Sequence, residues 1–376
     1  MRLFATCARG FEDLSAAEVD ELVGACATVD RDKVFFAATW AQVCALQVRA
    51  RTLHKVHLLL ARGPVKTLDD VRAVARGVDW AAHLQPTQAF GVEGIRSGTH
   101  DFTSVDIGRA VGGVVQQEVE KARGAKPPVN LDQPEVQVTA LVRDEECLLG
   151  LNLTGDTLHK RGYRVYQHPA PLRPSLAAVL LRWAGYTPEQ ALWDPLCGSA
   201  TLPIEAALMA RRIPPNATRP FLMEHLHGFP AEALAAARAA ALAERTDPPL
   251  RLLGTERFET HLLGAAANAR AAGVWDALHL RVLDVARARR EDLPFAPDLV
   301  VTNPPYGLRI ASTGVVRRLY QDFLAKMEVL EVAQVVVLVG NRMFEQEAAR
   351  RGLQPAEALD VVYGDLPARA LRFRLR

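Results

Sequence analysis

From Ser175 onward the sequence alternates short apolar, β-branched runs with longer stretches of helical spacing. The runs at 191–196, 250–255, 278–283, 299–301 and 334–339 read as strands. Helices are expected at 175–184, 202–210, 231–245, 258–272 and 315–327. A strand that returns to its sheet through a helix runs in the same direction as before, so this alternation specifies an α/β fold with a doubly wound, mainly parallel sheet. At the end, 358–363 and 368–375 flank Gly364-Asp365 with no helix between them. That pattern reads as a hairpin, adding antiparallel pairing at one edge.

The ends of these strands carry the chemistry. After 299–301 comes Asn303-Pro304-Pro305-Tyr306-Gly307. Neither proline has an amide N–H to give to a sheet, so the strand stops. Asn303 precedes a proline and is held extended. One stiff turn therefore offers an amide side chain, the Pro304 carbonyl and the Tyr306 ring at the carboxyl end of a strand, where open α/β sheets bind ligands. This set suits transfer to the weakly nucleophilic exocyclic amine of a base. Asn303 and the Pro304 carbonyl accept its two N–H bonds and aim its lone pair, and Tyr306 stacks on the base once it has left its helix. The same dipeptide also serves simply to end strands.

Earlier strand ends are consistent with a ligand at that edge. Asp194-Pro195-Leu196-Cys197-Gly198-Ser199-Ala200-Thr201 joins the first strand to its helix. Its small residues let a ligand approach the backbone and leave helix N–H groups facing it. It is neither a Walker loop nor a G-x-G-x-x-G fingerprint, which argues against a phosphate-cradling NTPase. Glu256 ends the second strand, where a carboxylate commonly accepts from ribose hydroxyls, and Asp284 follows the third, placed to accept from an adenine amine. Each acid alone also makes a helix cap; the ordered series of loop, acid, acid and Asn-Pro-Pro-Tyr is the stronger observation.

The first 155 residues read as two small α+β units, 1–60 and 61–155, with Gly63-Pro64 as a break and a hairpin at 136–142 and 147–153. His54 and His57 read as surface or interface histidines, since no third ligand is near. Residues 156–174 form a locally basic linker to the third unit, 175–376. Its Lys160, Arg161, Arg164 and Arg173 interleave with Tyr163 and Tyr166. This mixture suits RNA backbone and base contacts; a hinge whose arginines pair with neighbouring domains has the same composition. The net charge of +2 cannot carry a nucleic-acid argument, so any basic surface is local. Five scattered cysteines give neither a disulfide framework nor a zinc site. With no bilayer-spanning run or signal-peptide pattern, the expectation is a soluble, cytoplasmic protein.

Taken together, Asp194–Ser199, Ile204-Glu205-Ala206-Ala207 and Asn303–Gly307 resemble the S-adenosylmethionine-dependent RNA guanine-N2 methyltransferases that carry an N-terminal THUMP domain. Phe4–Glu12 is similar to that family's opening, and Thr154–Arg164 to its THUMP exit. The resemblance implies a Rossmann-like class I methyltransferase domain behind ferredoxin-like and THUMP units that grip structured RNA. The 23S rRNA enzymes are nearest in likeness and the tRNA enzymes close behind. It implies S-adenosylmethionine held by Asp194, Pro195, Cys197, Gly198, Ser199, Ala200, Thr201, Glu256, Asp284 and Asn303, with Asn303, Pro304 and Tyr306 at the reacting amine. No metal and no obligate protein partner is implied. The family usually has glycine at the position of Ala200; a Cβ there narrows the approach to the cofactor, so weaker or shifted binding is expected at worst, not loss of function. Three rivals stand beside this reading: an adenine-N6 DNA methyltransferase, a non-catalytic RNA-binding or ribosome-assembly factor and, weakest, an NAD-dependent oxidoreductase.

Overall fold

The structure, a computed structural model, describes residues 1–306, 313–363 and 366–375. Gly307 of the Asn-Pro-Pro-Tyr motif and the expected Gly364-Asp365 turn lie outside the described residues. Among the described residues the strands form two sheets of seven.

The first sheet is built from β1 (Arg2–Cys7), β2 (Thr28–Asp30), β3 (Lys33–Ala37), β4 (Leu53–Pro64), β5 (Phe90–Ser97), β6 (Val136–Arg143) and β7 (Glu146–Asn152), in the order β2-β3-β1-β4-β7-β6-β5. Helices α1 (Glu12–Val23) and α2 (Trp40–Arg49) cover its first half; α3 (Leu68–Arg76) and α4 (Ser104–Arg123) cover the second. The expected hairpin is β6–β7. The expected break at Gly63-Pro64 is instead the end of β4, a strand of twelve residues that pairs with β1 on one side and β7 on the other. One strand thus joins the two N-terminal units into a single sheet. A register shift between Leu59 and Ala61 breaks its alternation, so the sequence pattern hid it. His57 lies within β4, buried and stacked on Phe4 with ring centroids 4.5 Å apart. That corrects the surface assignment: an imidazole beside an aromatic ring serves as core.

The second sheet contains β8 (Leu192–Asp194), β9 (Leu252–Glu256), β10 (Leu278–Val282), β11 (Leu299–Thr302), β12 (Gln334–Val339), β13 (Glu357–Tyr363) and β14 (Leu366–Arg374), in the order β10-β9-β8-β11-β12-β14-β13. The first five run parallel and β13–β14 add the expected antiparallel edge. Both faces are covered. Leu299 and Val301 point into a core with α5 (Pro174–Trp183), α6 (Thr201–Ala210) and α8 (Glu259–Ala271). Val300 points to the other core, with α9 (Thr313–Val329) and α10 (Met343–Arg350), a helix the sequence reading had left out. The remaining helix, α7 (Ala231–Ala243), lies between α6 and β9 in the chain but packs on the first sheet's unit. Its Leu234, Ala237 and Ala241 share a core with Val43 and Leu46 of α2, and Arg49 forms an ion pair with Glu244. Small side chains let the two helices approach closely. Part of residues 175–376 therefore docks in space on the N-terminal half. No helix among the described residues is long and apolar enough to cross a membrane.

Candidate active site

In the second sheet the chain moves outward from β8 in one direction through β9 and β10, and in the other through β11 and β12. The crevice beyond the carboxyl ends of β8 and β11 is thus the topological switch point, where such sheets bind ligands. Asp194 ends β8 there, 2% exposed. Its Oδ1 accepts from Thr302 Oγ1 at 2.7 Å and from the Leu196 amide at 3.2 Å. Burial, with Glu256 adding repulsion, pushes its carboxyl up to about 7 against those two hydrogen bonds. Among the described residues it has no ion-pair partner, so it is a buried acid without a cation, suited to an amino group on a ligand.

The loop after Asp194 is pinned to β9: the Cys197 amide donates to the Thr255 carbonyl at 2.9 Å. Burial holds the Cys197 thiol well above its usual range, so it stays protonated and is not a nucleophile. Ala200 opens α6 in the left-handed region, φ 58° and ψ 29°, with no side-chain cap on the helix. The first amides of α6 are left facing the crevice. The sequence had suggested only a narrowed approach at Ala200; the structure adds a backbone conformation that costs a Cβ-bearing residue about 1–2 kcal/mol. A glycine-containing loop, an uncapped helix start and an unpaired acid fit a cofactor with a zwitterionic amino-acid end.

Glu256 is buried at the end of β9, with Oε1 accepting from the Phe258 amide at 3.0 Å. Asp284 accepts from the Ala286 amide at 3.0 Å and caps a short turn. Both acids therefore make local caps as well as standing at the site. Beyond β11, the Tyr306 hydroxyl donates to Asn303 Oδ1. The Tyr306 ring lies on Gly340, where a Cβ would come within 2.6 Å of it, and Asn341 Nδ2 donates to the Tyr306 carbonyl at 3.0 Å. The Tyr320 hydroxyl donates to the Pro305 carbonyl at 2.8 Å. The turn is thus held by α9 and by the end of β12, and the oxygen expected to receive the amine is shared with Tyr306.

The basic linker does not stay together as a strip. Arg161 is 5% exposed. It donates to the carbonyls of Leu158 and Arg51 and stands 3.5 Å from buried Glu205. Buried in this way, it is withdrawn from RNA, a correction to its place among the RNA-contacting residues. Lys160 is exposed and paired with Asp156 at 2.9 Å; Arg164 and Arg173 are half-buried.

Residues 161–368 match the RMKL-like methyltransferase domain, residues 65–152 the THUMP domain and residues 2–57 the RlmL ferredoxin-like domain. The chain belongs to the RMKL-like methyltransferases. It is 35% identical to the tRNA (guanine(6)-N2)-methyltransferase of Archaeoglobus fulgidus over all of this chain and 92% of that protein. It is 34% identical to the ribosomal RNA large subunit methyltransferase K/L of Saccharophagus degradans over 85% of this chain, but only 44% of that protein. The fold matches SMU.472, a putative methyltransferase complexed with SAH, with TM-score 0.88 at 22% identity, covering 99% of this chain and 97% of that one.

In this RMKL-like site several residues escaped the sequence reading. Thr302 escaped because a threonine in an apolar strand reads as β propensity. Gly340-Asn341 carried a usable signal: a glycine and an amide directly after a strand, the same kind of position as Asn303. Asn268 stands in Asn268-Ala269-Arg270, a run that resembles the family's helix after the second strand, but nothing in the run gave it a role.

Proposed function

We propose that this RMKL-like methyltransferase transfers a methyl group from S-adenosylmethionine to the exocyclic N2 amine of a guanine in structured RNA. The observation that carries the reading is the pairing across the switch point: Thr302 bonds Asp194, the acid that would face the cofactor, and its chain neighbour Asn303 opens the turn beyond β11 that would receive the base. Asp194, the 195–201 loop, Glu256 and Asp284 are the residues that would hold the cofactor, which when bound supplies an electrophilic methyl group. Asn303 Oδ1 and the Pro304 carbonyl accept the two N–H bonds of the amine. They turn its lone pair toward the cofactor and stabilise the charge that develops on nitrogen. Tyr306 exchanges its bond to Asn303 for the incoming base and stacks on it. Among the basic linker residues, exposed Lys160 and half-buried Arg164 and Arg173 are the candidates for contact with RNA.

Two RNA classes fit. Likeness in sequence motifs pointed to 23S rRNA, and the relative from Saccharophagus degradans supports that. The full-length likeness to the Archaeoglobus fulgidus enzyme favours tRNA as a second reading. The deciding experiment offers labelled S-adenosylmethionine with unmodified 23S rRNA, a tRNA pool and DNA, followed by nucleoside analysis. N2-methylguanosine from one RNA class identifies the substrate; N6-methyladenine in DNA replaces the reading. An Asn303→Ala variant is expected to lose about 10²–10³-fold in kcat. If it keeps wild-type transfer while folded and cofactor-bound, the assignment of the turn is wrong.

A further inference from the structure

The linker that leaves the THUMP half passes directly over the cofactor loop, held there by α8. Asn268, on α8 and 1% exposed, grips it through its side-chain amide. The Tyr166 backbone N–H donates to Asn268 Oδ1 at 2.8 Å, and Asn268 Nδ2 donates to the Tyr166 carbonyl at 3.1 Å. The same Nδ2 reaches the Ser199 carbonyl at 3.4 Å. One amide thus bonds both the linker and the loop between Asp194 and α6. Side chains reinforce the seat. The Tyr166 ring lies against Gly264, where a Cβ would fall 2.2 Å from it, so no other residue fits there without moving the linker. Its hydroxyl meets His261 Nδ1 at 2.7 Å. His168 packs edge-on against His261, centroids 4.4 Å apart, and its ring lies 3.5 Å from where a Cβ on Gly198 would be.

Two properties distinguish this from a linker merely packed on a helix. Its tie to the loop is a directional polar bond from a buried side chain, and an amide in that setting fixes position more sharply than apolar contact does. The ring turned toward Gly198 is uncharged at neutral pH, because burial and nearby His261 hold the His168 imidazole below its usual range. An uncharged wall suits a site for a sulfonium, which a second cation would repel.

The geometry points to Asn268 as a positioning residue for the cofactor site, with Tyr166 and His168 as a wall of that site supplied by the linker from the RNA-holding half. This rests on the methyltransferase reading above. Asn268 sets the distance between loop and linker; His168 closes the side at Gly198.

The test is calorimetric binding of S-adenosylhomocysteine to the full chain, wild type against Asn268→Ala and His168→Ala, with thermal melting of each protein. Losing the amide's bonds is expected to weaken binding about tenfold in Asn268→Ala. His168→Ala, a truncation at a half-buried position, is expected to weaken it several-fold. In turnover, KM for S-adenosylmethionine rises in both while kcat and KM for RNA hold. A purely structural role would lower the melting temperature and leave the affinity of the folded protein alone. Binding within twofold of wild type in cooperatively melting variants overturns the inference and leaves the methyltransferase reading standing. If Asn268→Ala does not fold, the His168→Ala result decides. A wild type that binds no S-adenosylhomocysteine overturns that reading and this inference together.

Discussion

Replacing Asp194 by asparagine is expected to stabilise the fold while removing cofactor binding. The carboxyl is buried, has no cation beside it among the described residues, and faces the negative charge of Glu256. Burial lifts it from 3.8 to about 7. Between those two values the folded protein keeps a proton that the unfolded chain has released, so stability falls as pH rises through the window and stays reduced above it. The full cost is roughly 4 kcal/mol at about 1.4 kcal/mol per pH unit, an upper figure because buried carboxylates relax and admit water. Asparagine keeps an oxygen for the Thr302 hydroxyl and the Leu196 amide but carries no charge. In urea unfolding without cofactor, the variant's advantage over wild type is expected to grow by roughly 2–3 kcal/mol between pH 5 and pH 8. Other titrating groups are common to both proteins and cancel in the difference. Calorimetry with S-adenosylhomocysteine is expected to show binding lost. An advantage that does not change with pH, or a variant no more stable than wild type at pH 8, refutes the argument that this is a strained acid kept for a ligand.

Three further outcomes follow from packed groups. Glu205 is fully buried, accepts from the Tyr163 hydroxyl at 2.9 Å and faces Arg161. Glu205→Ala leaves that guanidinium uncompensated and is expected to cost about 3–5 kcal/mol in urea unfolding, partly recovered by adding Arg161→Met; a loss below about 1 kcal/mol contradicts it. Gly340→Ala places a Cβ against the Tyr306 ring, so kcat is expected to fall while affinity for S-adenosylhomocysteine holds, and unchanged kcat excludes that contact as important. Burial pushes His57 down to about 3, so the stability it contributes is present above its ordinary value of 6.5 and is lost as pH falls toward 3. His57→Phe is expected to resist acid better than wild type by roughly 2 kcal/mol between pH 6.5 and pH 5, read from urea midpoints.

Local chemistry made much of this site legible in the sequence. Two prolines end a strand wherever they fall, so the Asn303 turn could be placed at a strand end before any coordinates, and short apolar, β-branched runs marked β8 to β12. What sequence concealed was long-range partnership. Arg161 reads as a surface cation until Glu205, far along the chain, is found beside it in the interior. β4 hid because its bulge breaks the alternation, and its buried His57 looks polar in any tally. The docking of α7 onto α2 depends on which surface its small residues meet, which composition does not contain. Asn268 is one amide in an alanine-rich helix, and only the path of the linker gives it a role.

On the proposed reading, the sheet itself sets how far apart the two ligands stand. Thr302 and Asn303 are consecutive, one bonded to the acid of β8 and the next opening the turn beyond β11. Their separation is set by one peptide unit, and β11 is held in register by pairing of Val300 with Trp193 on one side and Val335 on the other. Strands buried on both faces resist displacement, so the distance between cofactor side and base side is a property of the sheet.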